Sequence, residues 1–267
     1  MGLEDPCEGG GPVPRRILGL LAAAFLAASL LLAFGPEAVG GGKPLEHWIR
    51  EVGLGAPGDP LDKLWLQLSD LGHGRFLVYL LLLMAVLSED RRRFFDTLRL
   101  VVIASVLCQI LKVGVGRARP FDASPHSWPS GHTTSVLALA LSFHHLRPPR
   151  FLAALILASL IALSRIFHMR HWPSDVCAGA ALALGCAALL LGRRVRLPAV
   201  LEGEGFRSWA LGAMLAYFVI DMLVYTPPPD HILLHGALLV LAASVLHAAR
   251  NGGGGTHLPR GTEASGS

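Results

Sequence analysis

Residues 17–34 read ILGLLAAAFLAASLLLAF, a run with no charged side chain. About 20 mainly apolar residues carry a helix across a bilayer. Arg15 and Arg16 stand just ahead of the run, as in a secretory leader. The apolar part of a leader spans only about 7–15 residues, however, so a retained membrane helix is expected. Composition points the same way. Of 267 residues, 52% are hydrophobic and 16% are charged, and mean hydropathy is +0.52. Soluble domains carry about a quarter charged residues.

Working outward, seven more apolar segments follow, centred on 71–88, 97–113, 132–147, 151–166, 175–192, 208–225 and 231–249. Backbone inside hydrocarbon must bond internally, so these are predicted as helices. The alternation of a β-barrel is absent. The expected fold is all-α, a polytopic membrane helical bundle of about eight transmembrane helices. Residues 1–14 and 251–267 are Gly-rich and predicted as flexible tails. In the 35–70 connection, Leu45, Trp48, Ile49 and Val52 recur at helical spacing. They predict a helix lying in the outer interface or packed over the bundle mouth.

Basic residues orient the bundle. Arg15 and Arg16, then Arg91 to Arg93 with Arg99, then Arg147 and Arg150, then Arg193, Arg194, Arg196 and Arg207, and finally Arg250 fall on one side if the helices alternate. That side is the cytoplasmic one. The net charge of +4 is explained by this asymmetry, and no nucleic-acid partner is expected. Cys7, Cys108, Cys177 and Cys186 lie far apart with no CxxC, and read as small core residues.

The opposite, outer face collects polar residues that a membrane bundle does not need. Lys112 closes the third segment, and Arg119-Pro120 follows in KVGVGRARP, 112–120. SWPSGH, 127–132, interrupts the chain before the fourth. SRIFHMRHWPSD, 164–175, joins the fifth to the sixth. Snorkelling Lys and Arg at helix ends explain any one of these cations. A gathering at one end of one bundle points to a site. Lys112, Arg119 and Arg165 suit phosphate oxygens, as a point charge and two planar forks. Ser130-Gly131-His132 opens a helix, so its N–H groups add to an anion cradle. Gly131 permits close backbone approach. His171 and Asp175 are four residues apart and face one another on a helical path. A carboxylate on one ring nitrogen leaves the other free to attack. His132 then suits a general acid. No His/Cys/Asp cluster has zinc spacing.

Lys112 with Arg119-Pro120, then Pro129-Ser130-Gly131-His132, then Ser164-Arg165 with His171 and Asp175, together resemble the three motifs of the type-2 phosphatidic acid phosphatase superfamily. The resemblance covers about residues 15–195. It implies a six-helix phosphatase core there, with 196–250 left over as a C-terminal two-helix hairpin. It implies hydrolysis of a lipid phosphate or pyrophosphate without a metal or other cofactor. Catalysis would fall to His171, His132 and Asp175, and phosphate binding to Lys112, Arg119, Ser130, Gly131 and Arg165. Soluble vanadium haloperoxidases share the superfamily, and the hydrophobicity here argues against that branch. Two alternatives stay open: phosphotransfer to an acceptor other than water, and an anion transporter. Polar residues crowded at one end disfavour the transporter. The expected partners are the lipid substrate and membrane lipids. The expected location is a bacterial inner membrane, with the N-terminus cytoplasmic and the site facing the periplasm or exterior.

Some residues stand outside the motifs. Arg117 and Arg170 read as a solvated rim. His73 reads as a packing or turn residue, while His126 and His168 have no partner in sequence. Asp221 and His235 lie equally far from Pro228. In an antiparallel hairpin they would share a depth, so a structural hydrogen bond between them is expected.

Overall fold

The computed structural model describes residues 14–34, 60–88, 90–120, 125–168, 170–193 and 205–224. Among these every regular element is a helix: α1 (Arg15–Phe34), α2 (Pro60–Leu71), α3 (Gly74–Leu87), α4 (Arg91–Val115), α5 (Gly131–Ser142), α6 (Pro148–Phe167), α7 (Pro173–Leu190) and α8 (Gly205–Val224). Four of them, α1, α4, α6 and α7, are long and apolar enough to cross a membrane. The chain is an integral membrane protein. The predicted helix around Leu45–Val52, the segment 231–249 and His235 lie outside the described residues. Asp221 is buried on α8.

The helix ends follow local chemistry. Asp90 caps α4 by accepting the Arg93 N–H at 3.2 Å. Gly116 ends α4 in the left-handed region, φ +61°, and its N–H returns to the Lys112 carbonyl. Pro148 and Pro173 open α6 and α7, where a missing N–H costs nothing.

Two compact units emerge, one of residues 1–78 and 90–197, the other of 79–89 and 198–267. In the first, α5 is central and packs on α4, α6 and α7, while α1 lies along α7 and α2 packs on α6. The helix–helix seams are lined with small residues, including Ala138, Ala140, Ala180 and Ala183. Close approach of this kind is how membrane helices associate. Gly179 lies in such a seam: a Cβ there would stand 2.7 Å from the Ser130 carbonyl oxygen. In the second unit Tyr79, Leu83 and Met214 form a buried cluster, and Tyr79 meets Tyr217 edge-on at 5.0 Å.

The first unit has two chemically distinct ends. At one, Arg15 donates to the Leu191 carbonyl through Nε and Nη2, at 3.0 and 2.6 Å. Arg99 donates to the carbonyls of Leu190 and Arg193, both at 2.9 Å. Two basic residues thus satisfy the open carbonyls of the α7 C-terminus. The end of α4, the start of α5, the end of α6 and the start of α7 lie at the other end and carry the motif residues.

Two departures from the sequence reading are informative. The segment predicted as 71–88 forms α3 from Gly74, and a separate helix, α2, ends just ahead of it across a break at Gly72–His73. A Cβ on Gly72 would stand 2.6 Å from Ile161 Cγ2 and 3.0 Å from His132 Cδ2, so the chain crosses α5 and α6 at a place only glycine fits. The segment predicted as 132–147 stops as a helix at Ser142. Its last carbonyls are taken by His144 and His145, whose Nδ1 atoms lie 3.2 and 3.1 Å from the oxygens of Leu141 and Ser142.

Candidate active site

Lys112, in the last turn of α4, is buried. Its Nζ donates to the His126 carbonyl at 2.7 Å. The His126 ring returns to the Lys112 carbonyl, Nδ1 to O at 3.0 Å. The reciprocal pair folds the connection after α4 back over its own helix. Ser127 N–H closes that connection on the Arg117 carbonyl at 2.8 Å.

The start of α5 is fixed from below by α7. Ser130 N–H donates to the Asp175 carbonyl at 2.9 Å, and Thr133 donates to Ser130 Oγ at 3.1 Å. Gly131 is less constrained by the protein. A Cβ there would meet Lys112 Cε at 3.6 Å, an ordinary contact.

Arg165, near the end of α6, is buried. It reaches α2 by donating to Ser69 Oγ. Ring contact between Trp65 and Phe167, centroids 4.6 Å apart, reinforces that junction. Nε of Arg165 and Nε of Arg119 are buried and meet no acceptor among the described residues. Two buried guanidinium donors thus stay unused by the fold among the described residues.

His171 and Asp175 face one another as the spacing predicts, with Nδ1 3.4 Å from Oδ2. Asp175 sits at the third position of α7, where its Oδ2 also accepts the Trp172 N–H at 2.9 Å. Ser127 Oγ donates to the same oxygen and lies 3.4 Å from the His171 Nδ1. The other oxygen, Oδ1, takes Arg117 at 2.9 Å. Burial pushes the His171 imidazole down to about 4, although Asp175 beside it pulls the other way. His171 is therefore neutral around pH 7.

Lys112, Arg119, Gly131, His132, Arg165 and His171 line one cleft of about 630 Å³. Ser130 and Asp175 are fully buried behind it. All eight motif residues are thus gathered in one place. His132 faces His73 edge-on, centroids 5.9 Å apart. No hydrogen bond reaches its ring among the described residues.

Sequence reasoning missed several partners. Arg117 is a correction: it is not a solvated rim residue but pairs with Asp175 and donates to Ser174 Oγ. Its guanidinium lies 5.7 Å from the Trp172 ring centroid. The only signal was position, two residues before Arg119-Pro120. Ser127 and Ser69 carried none. Arg170, His73 and His168 line the cleft; His73 also serves the turn, as its Nδ1 accepts the Arg75 N–H at 3.3 Å.

Known proteins resemble this one over the same region. Residues 93–197 match the sequence model of the PAP2 superfamily. A lipid A 1-phosphatase of Porphyromonas gingivalis is 42% identical over 77 residues, 27% of this chain and 17% of the relative. An undecaprenyl-diphosphatase of Sulfolobus acidocaldarius is 28% identical over 131 residues, 45% of this chain and 64% of the relative. The chain spans less than two thirds of the length of either relative. The fold is shared with the crystal structure of a transmembrane PAP2-type phosphatidylglycerolphosphate phosphatase from Bacillus subtilis. That match has a TM-score of 0.52 and 22% identity, and covers 67% of this chain and 94% of that one. All eight residues gathered at the cleft fall within 93–197, the stretch of this chain that matches the PAP2 superfamily model.

Proposed function

We propose that this protein is an integral-membrane lipid phosphatase that removes a phosphate monoester or terminal phosphate from a lipid through a phosphohistidine. The observation that carries the reading is one cleft shared by His171, backed by Asp175, and by Lys112, Arg119, Arg165 and His132. The names of the relatives agree with a lipid phosphate or diphosphate as substrate.

The chemistry follows from the placement of charge. Lys112, Arg119 and Arg165, with the N–H groups at the start of α5, hold the non-bridging phosphate oxygens and stabilise charge that grows in the transition state. Asp175 keeps the proton of His171 on Nδ1, so Nε2 presents its lone pair to phosphorus. The P–N bond forms as the bond from phosphorus to the lipid oxygen breaks. Burial and the Arg165 cation hold the His132 imidazole well below the usual histidine range; the phosphate dianion bound beside it restores the charged form, which gives its proton to the departing oxygen. Water then attacks phosphorus, His132 takes a proton from it, and the P–N bond breaks to release inorganic phosphate. Atoms and protons are restored after each cycle. The site faces away from the cytoplasm, since the Arg-rich ends point inward.

The test is phosphate release from a lipid phosphate by the purified protein in detergent with EDTA present. Wild type releases phosphate, because the protein's own cations supply the neutralising charge, and His171→Ala does not. Folded wild-type protein that releases none from mono- or diphosphate lipids would refute the reading.

A further inference from the structure

The cleft is far larger than a phosphate group, about 630 Å³, and its wall stays polar below the level of Lys112. Gln109 and Ser105 on α4 and Ser135 on α5 all line it. At 1.5 Å per residue, Gln109 lies about 4–5 Å and Ser105 about 10 Å further along α4, toward the bilayer interior. The surrounding run, LVVIASVLCQIL from 100 to 111, is otherwise apolar.

These side chains are not used up by the fold. Ser105 Oγ and Ser135 Oγ lie 2.9 Å apart, one donating to the other. A hydroxyl pair keeps acceptor capacity beyond that bond. Gln109 is exposed, and its amide makes no hydrogen bond among the described residues. An amide at this depth in a membrane helix is expensive unless it faces a polar cavity or a ligand. A polar residue so placed marks a functional site by default.

We infer that Gln109, with the Ser105–Ser135 pair beyond it, forms a hydrogen-bonding subsite for the part of the substrate next to the phosphoester. The preferred substrate is then a lipid phosphate whose neighbouring carbons carry ester, amide or hydroxyl groups, as in an acylated glycerol or acylated sugar. A lipid whose phosphate sits directly on a hydrocarbon chain would strand the amide against methylene groups. A site built to hydrogen-bond its substrate rejects an analogue lacking the partner. The amide offers a donor and an acceptor at once, so it accommodates either a carbonyl or a hydroxyl. The inference rests on the lipid-phosphatase reading and narrows its substrate class.

The experiment compares kcat/KM of the purified protein on a diacylglycerol phosphate and on a polyprenyl phosphate, in the same detergent. Wild type prefers the diacylglycerol phosphate, and Gln109→Met, which keeps side-chain length without the amide, lowers the ratio about tenfold. Ser135→Ala lowers it less, and serves alone if Gln109→Met does not fold. A wild-type preference for the polyprenyl phosphate, or a ratio unmoved in the variants, overturns the subsite. If wild type hydrolyses neither lipid, the phosphatase reading fails, and thermal stabilisation by each lipid phosphate decides the subsite. Selective stabilisation by the diacylglycerol phosphate, lost in the variants, supports it; equal stabilisation by both lipids overturns it.

Discussion

Arg117 Nη1 lies 2.9 Å from Oδ1 of Asp175, while Oδ2 of the same carboxylate faces His171. The cation therefore acts on the histidine only through the carboxylate, and fixes the direction in which Asp175 points. Removing one partner of a buried pair leaves the other charge uncompensated.

Arg117→Met should lower kcat about tenfold or more and leave KM nearly unchanged, because Arg117 pairs with Asp175 and is not among the residues lining the cleft. Arg117→Lys should recover part of the loss, since it restores charge without the planar fork. Steady-state kinetics on one lipid phosphate check this. A rise in KM at constant kcat would place Arg117 on the substrate instead.

His132 should matter most where the leaving group is poor. His132→Ala should lose at least tenfold more activity on an alkyl phosphate than on a nitrophenyl phosphate, because a stable phenolate needs little protonation. Equal losses on the two substrates would remove the acid role.

The buried His171 gives a pH signature. Its imidazole titrates at about 4 in place of the usual 6.5, so it should still be about 90% neutral at pH 5. Carbethoxylation of His171, mapped by mass spectrometry, should continue at pH 5, where ordinary histidines react slowly. The same shift bears on stability. The unfolded chain takes up a proton on His171 near pH 6.5 and the folded one does not, so stability falls as pH drops from 6.5 towards 4. His171→Phe should flatten part of that slope in thermal denaturation.

Orientation is tested at Ala118, which is exposed in the connection after α4. Ala118→Cys, in a background with Cys7, Cys108, Cys177 and Cys186 replaced, should react with a membrane-impermeant thiol reagent on intact cells. Labelling only after lysis would reverse the proposed topology.

The cleft was legible in the sequence because its principal residues announce themselves by spacing. His171 and Asp175 share a helical path, and Lys112, Arg119 and Arg165 are charges in chain that otherwise avoids charge. Their supports were not legible. Arg117 reads as one more loop cation until the fold carries it to α7. Ser127 and Ser69 are ordinary serines whose partners lie 48 and 96 residues away. Gly72 in SDLGHGR, 69–75, reads as an ordinary helix end, since what demands glycine there is the path of α5 and α6 behind it. Periodicity reports on faces of single helices, whereas these features are decided where two helices meet.

The close approach at Gly179 sets how much variation the fold tolerates. Gly179 does not line the cleft, yet it lies where the α5 backbone rests on α7, one turn from Asp175. A single added methyl there would strike the Ser130 carbonyl oxygen and press on Thr133 and Thr134, at 2.7, 3.1 and 3.1 Å. The two helices would part, and the bond from Ser130 N–H to the Asp175 carbonyl would go with them. Ser130, Gly131 and His132 ride on one helix and the histidine's carboxylate on the other, so both would be displaced by the same step. A position with no chemistry of its own is thus among the least forgiving in the molecule, and a screen for inactive variants should return it beside the histidines.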